Sequence, residues 1–263
     1  MKDITSTSKV YSKKFSFCSL VTNKEQYVEM IKSANKKGFT DENSEFLYIN
    51  NIRNNIYDAY SGIKHFFELA EGRFIIICHQ DLLFIFDDKQ TLEKRLDELN
   101  VLDPYWAIAG NAGGRYIKKY AYRISQGNGP IRNTHNFPFL ARSIDENFMV
   151  VNKKVTPTIS HDLNGFHLYG TDLCKLAHIA GHNSYVIDFH LKHLGAGMAG
   201  KDFYEVKKAL IDKYGKALDG QFIQTTCTKI ALVPGRFKAR LYNSSFFMFF
   251  IKEFFKIRIK LIP

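Results

Sequence analysis

The chain has no CxxC pair. Its four cysteines, Cys18, Cys78, Cys174 and Cys227, stand far apart, which excludes a zinc knuckle and a disulfide frame. Cys18 and Cys78 fall inside apolar, strand-like runs, so the set reads as buried thiols of a reducing compartment. An apolar leader is lacking too: residues 1–14 are polar and basic, and a cytoplasmic protein is expected. The most apolar stretch, residues 245–263, is broken by cations, and its longest uncharged run is too short to span a bilayer. Acidic residues are in deficit, 26 against 37 Lys and Arg, for a net charge of +11. Such a balance favours polyanions, acidic lipid surfaces or phosphorylated ligands as partners. The cations are dispersed and form no known reader motif, so no nucleic acid partner is expected.

What is present suits one large domain, or one domain with an appendage: 263 residues, 45% hydrophobic and 24% charged. The organising stretch is Phe74-Ile-Ile-Ile-Cys-His-Gln-Asp81. Its five apolar residues read as a strand buried on both faces, which then stops at three polar groups. Ligands of open α/β sheets gather at the carboxyl ends of such strands, so His79, Gln80 and Asp81 stand where chemistry is expected. A carboxylate at that place is either a turn residue or an oxygen ligand for a hard divalent cation.

Along the chain, Phe15–Val21 reads as a first strand ending in Thr22-Asn23, followed by a helix over residues 24–36. A second strand, Phe46–Ile49, ends in Asn50-Asn51. After it Ile56, Ala59, Tyr60, Ile63, Phe66, Phe67 and Ala70 recur at helical spacing. A helix through Leu92, Leu96 and Leu99 and a strand over residues 106–109 complete the alternation. The pattern predicts a Rossmann-like, mainly parallel sheet flanked by helices, with Thr22, Asn23, Asn50, Asn51 and Asp81 on one rim, an arrangement that suits a nucleotide. The loop Gly110–Gly114 fits neither glycine-rich phosphate motif and reads as a flexible turn. Residues 115–138 read as a functional loop or lid, 143–151 as one strand, 157–164 as loop and 184–189 as a further strand.

Downstream, Asp172 opens a helix through Leu173, Leu176, Ala177 and Ala180, which fits a cap or dipole partner. His190 and His193 form an HxxH pair without the HExxH frame or a cysteine to complete a zinc site, and a lone strand-end histidine is more often structural. Beyond residue 200, Asp202-x-x-Glu205 reads as a capping box opening a helical C-terminal extension. The expected division is a basic tail over 1–14, a main domain over 15–200 and the extension over 201–263. Its apolar tail could lie in a membrane interface, or pack on the main domain or on a second subunit as a homo-oligomer.

Thr22-Asn23, Asn50-Asn51, IIICHQD at 75–81, SIDENFMVV at 143–151, GFHLYGTDLCKLA at 165–177 and YVIDFHLKHLG at 185–195 occur in order. Together they resemble the family 2 glycosyltransferases of GT-A fold, in the branch with a StrF-type domain, over roughly residues 15–197. The resemblance implies transfer of a sugar, with inversion, from a nucleotide-sugar donor to a saccharide or lipid-linked acceptor in surface polysaccharide assembly. In such enzymes the first two strand ends, here Thr22, Asn23, Asn50 and Asn51, hold the nucleoside. His79 and Gln80 would meet the donor, and Asp81 and His193 would hold a divalent cation, Mn²⁺ or Mg²⁺. Asp172 would be the base, with Asp145 and Asp162 as alternatives. The expected place is the cytoplasm, with the inner face of the membrane as an alternative. Because His79 and Gln80 depart from the DxD pattern, a second reading is a relative that binds nucleotide, or acts as a structural partner, without effective turnover.

Overall fold

The computed structural model describes residues 10–127, 129, 131–134, 136–155, 157–195 and 200–260. Most of the basic N-terminal tail and residues 261–263 of the apolar tail lie outside these. The chain forms two compact units, residues 1–207 and 208–263.

The first unit begins with β1 (Lys13–Val21), α1 (Lys24–Lys36), β2 (Ser44–Asn50), α2 (Ala59–Leu69), β3 (Gly72–Cys78), β4 (Leu82–Leu83), α3 (Lys89–Leu102) and β5 (Ile108–Gly110). Then come β6 (Ala112–Tyr116), β7 (Lys119–Gln126), β8 (Ile131–Asn133), β9 (Phe139–Ala141), β10 (Ser143–Ile144) and β11 (Phe148–Asn152). It closes with α4 (Tyr169–Ile179), β12 (Ser184–Val186), β13 (Leu191–His193) and the start of α5 (Lys201–Ala217).

The main sheet has the order β2-β1-β3-β11-β5-β12-β9. β2, β1, β3, β5 and β12 run one way, with β11 and β9 against them, so the expected mixed, mainly parallel α/β architecture is present. Buried aromatic side chains fill the core on one face: Phe15, Phe17, Phe39, Phe84, Phe148, Phe189 and Trp106. Each such ring contributes on the order of 1.5–3 kcal/mol by leaving water. A second sheet has the order β10-β6-β7-β13-β4 with β8 on β7, and its β6, β7 and β8 lie in segments that read as turn or loop.

Several expectations are corrected. Residues 143–151 are not one strand: they break at a turn over Asp145–Asn147, so β10 joins the second sheet while β11 inserts antiparallel between β3 and β5. The segment Gly110–Gly114 is not a flexible turn: it is the end of β5 and the start of β6, joined by a bend at Asn111. Its glycines answer to close backbone approach, since a Cβ on Gly113 would lie 2.4 Å from the Ser143 carbonyl oxygen. Within the supposed lid, β7 is a full strand paired with β6, β8 and β13. Ile56 lies outside α2 and is 72% exposed, because the helix starts only after Asp58, whose side chain accepts from the Ser61 amide. Residues 187–189 do not continue β12, and Cys227 is exposed while the other three cysteines are buried. Asp202 sits inside the first turn of α5 and so does not cap it.

The second unit holds the end of α5, a hairpin of β14 (Gln221–Gln224) and β15 (Lys229–Leu232), then α6 (Arg236–Tyr242) and α7 (Ser245–Lys260). The extension is thus helical with an added hairpin, which Asn243 ties down by exchanging two hydrogen bonds with the Ala231 backbone.

Candidate active site

β3 ends where the sequence turns polar, and His79, Gln80 and Asp81 form the short turn that joins it to β4. Gln80 spans to the β1–α1 turn. Its Oε1 accepts from the amides of Thr22 and Asn23, both at 2.8 Å, and its Nε2 donates to Thr22 Oγ1 at 2.9 Å. Asn23 caps α1 by accepting from the amides of Glu25 and Gln26. Asn51 is buried and shapes the loop after β2, donating to the Tyr57 carbonyl and accepting from the amides of Ile56 and Tyr57. Asn50 accepts from the Ile52 amide. Of the expected contacts to a nucleotide-sugar donor, Thr22, His79 and Gln80 line a cavity of about 330 Å³, and Asn23, Asn50 and Asn51 hold their own turns.

The cavity opens between the ends of β1 and β3, the apolar side of α2 (Ala59, Ile63, Phe66) and Tyr169 at the start of α4. At its polar end lies a cluster. β4 follows Asp81 directly and pairs with β13 in a register that sets Leu82 against His193, so a strand from far along the chain delivers a second imidazole. His193 Nε2 is 3.2 Å from Asp81 Oδ1 and 3.3 Å from His79 Nδ1. One ligand atom from each of the three lies within 4.8 Å of the others. The Gly195 amide donates to Asp81 Oδ2 at 3.0 Å. A Cβ at Gly195 would stand 2.7 Å from that oxygen and 3.5 Å from His193 Nε2, so glycine keeps the side of the cluster open.

Burial and then the charge of His193 push the pKa of His79 below the usual imidazole value. Burial works to raise that of Asp81, but the His193 hydrogen bond and the two imidazole charges outweigh it and hold the carboxylate below its ordinary value. Neutral imidazole and ionised carboxylate are the forms that bind a cation. The residues therefore fit a divalent ion, with His79 as a third donor. From the sequence His79 is expected to meet the sugar donor, and the His-x-Asp spacing is the signal that it can also join Asp81.

The expected base is placed differently from the cluster. Asp172 is fully buried, its Oδ2 accepting from the Ser160 amide at 2.8 Å and its Oδ1 from the Ser160 hydroxyl at 2.6 Å. It does not cap α4. That helix is entered through Leu168 at φ 61°, a strained conformation for a branched residue, and its end is met from outside by Glu146, whose Oε1 accepts from the Gly170 amide. Burial raises the Glu146 carboxyl to a pKa of about 8, the backbone donors working against it. Tyr169 reaches back with its hydroxyl 3.4 Å from His79 Nε2. Asp145 is exposed, and its charge acts on His79. His190 is structural: buried, stacked on Phe86 and bonded to Ser125 Oγ at 2.8 Å.

No family model matches the chain. A protein of Fuscovulum blasticum described as "ATP synthase subunits region ORF 6" is 32% identical over 232 residues, which take in 86% of this chain and 93% of that protein. Similar solved structures include a mannosyltransferase from Pyrobaculum calidifontis in complex with GDP-Man and Mn²⁺, at 11% identity and a TM-score of 0.49, covering 80% of this chain and 66% of that one. Another is TarS 1-349 of S. aureus in complex with UDP-GlcNAc, at 13% identity and 0.47, covering 76% and 66%. Likenesses of this size do not extend to chemistry, which rests on the site itself.

Proposed function

The chain belongs to the family of the Fuscovulum blasticum protein described as "ATP synthase subunits region ORF 6", words that name no reaction, and we propose that it is a glycosyltransferase. The observation that carries this reading is the His79, Asp81 and His193 cluster at the end of a cavity walled by the first and third strands. It stands where the resemblance to family 2 enzymes places the donor diphosphate. The donor is a nucleotide sugar, its nucleoside lying along the apolar side of α2 and its diphosphate toward the cluster. A divalent cation held by the three side chains would offset charge on the leaving diphosphate. Two imidazoles beside one carboxylate favour Mn²⁺ over Mg²⁺.

The acceptor hydroxyl attacks the anomeric carbon, the bond to the diphosphate oxygen breaks, and the configuration inverts. We assign the proton acceptor to Asp145, which is exposed and accepts from Asn147 through Oδ1, because Asp172 is buried with both oxygens held by Ser160. On this reading Asp172 holds the segment before α4 in place. α7 carries Phe246, Phe249, Phe250 and Phe254 exposed at helical spacing, which supports contact with an acidic membrane surface beside a lipid-linked acceptor of surface polysaccharide assembly. Among the described residues no helix is long and apolar enough to cross a membrane.

Calorimetric titration of nucleoside diphosphates with and without Mn²⁺ tests the proposal. Binding should require the cation in the native protein, and His79→Ala, Asp81→Ala and His193→Ala should each lower affinity at least about tenfold with the fold intact. Equal affinity in all three variants would return the cluster to a structural role and leave a nucleotide-binding relative without metal chemistry.

A further inference from the structure

A second cavity, of about 100 Å³, lies away from the first, between β9, β12 and the later turns of α4. Its charged lining comes from three parts of the chain: Arg115 in β6, Arg142 between β9 and β10, and Lys175 and His178 on α4, with His182 just beyond. No Asp or Glu lines it. Among the described residues the arginines in ion pairs with carboxylates are Arg95 and Arg123, so Arg115 and Arg142 are held by other means. Arg115 lies over the Tyr116 ring, 4.9 Å from its centroid, and its Nε is buried without a hydrogen-bond partner. Arg142 Nη1 donates to His178 Nε2 at 3.1 Å, a contact that uses the neutral imidazole. Burial first, then the charges of Arg142 and Lys175, lower the pKa of His178, so both cations act on the imidazole.

Like charges lining one cavity repel, and the buried Nε–H of Arg115, without a hydrogen-bond partner, is a donor left unused. An oxyanion would relieve both. Guanidinium groups match the tetrahedral oxygens of phosphate, and Arg115 on β6 and Arg142 in the link from β9 to β10 offer two such groups to the cavity. We propose that this cavity is a second anion site that takes a phosphate group, separate from the cation cluster of β3 and β13.

Titration with inorganic phosphate at constant ionic strength, followed by calorimetry, tests it directly. Saturable binding is expected, weakened about tenfold by Arg115→Gln or by Arg142→Gln and abolished in the double variant. The Asp81→Ala protein should bind phosphate as the native one does. Circular dichroism checks the fold of each variant, and Arg142, exposed at its outer side, tolerates substitution without core damage. Absence of saturable binding, or binding that survives the double substitution, overturns the proposal. Competition with glucose 6-phosphate separates the sources: displacement of phosphate identifies an esterified ligand, no displacement the free ion, and either result carries the site.

Discussion

The two aspartates that compete for the role of base differ in one respect that a single atom can probe. Asp172 is buried with Ser160 on both oxygens, and Asp145 is exposed near His79. Replacing the carboxylate by the near-isosteric amide removes proton acceptance while keeping one acceptor oxygen. Asp145→Asn should therefore lower turnover by about 10²–10⁴ with little change in donor affinity, the range of a general base. Asp172→Asn should lower stability by about 1–3 kcal/mol, since an amide group can accept at only one of the two positions that Ser160 donates to, with turnover following only the loss of folded protein. Sugar transfer at saturating donor, alongside denaturant unfolding, reads both. Loss of turnover in Asp172→Asn at unchanged stability would move the base to Asp172. The location of the site was legible because apolar runs end where solvent and ligands begin, as at Cys78-His79. The partners of Asp172 and Asn51 were not, because hydrogen bonds between a loop and a helix leave no periodic trace.

At the scale of elements, the helices and the long strands could be read from spacing: Leu92, Leu96 and Leu99 are all buried on α3, and β3 is buried nearly throughout. The short strands could not. β4 and β13 have two and three residues, too few for alternation to show, yet their pairing is what brings His193 to Asp81. β11 is buried along its whole length, so its composition carries no mark of its antiparallel direction. The start of α4 offers a test of its own. Glu146 is raised to about 8 by burial, so between the ordinary carboxylate value and that pH the folded protein binds a proton that the unfolded chain has lost. Its contribution is complete below about pH 4 and falls away as pH rises toward 8, at roughly 1.4 kcal/mol per unit as an upper slope. Glu146→Gln should accordingly gain on the native protein as pH goes from 5 to 8.5. Chemical unfolding at the two values measures this, and a constant difference would mean that the carboxyl is ionised throughout.

For the whole molecule, the excess of cations and the phenylalanines of α7 point to the same class of surface. Phe246, 70% exposed, and Phe250, 55% exposed, lie one turn apart. Phe246→Ser with Phe250→Ser should abolish co-sedimentation with anionic vesicles while leaving nucleotide binding unchanged. Failure of the native protein to sediment with them would make the stripe a packing face instead. The cation cluster has a further consequence, one of order in time. His79 and His193 are 114 residues apart in sequence, and β13 reaches its place only by pairing with β4 and β7. A growing chain thus holds the walls of the cavity long before it holds a complete donor set, and closing so long a loop has to be repaid by the pairing itself. On the proposed reading, cation capture would record completed topology: a chain that held an ion through all three side chains would already have paired the last strand of its first unit.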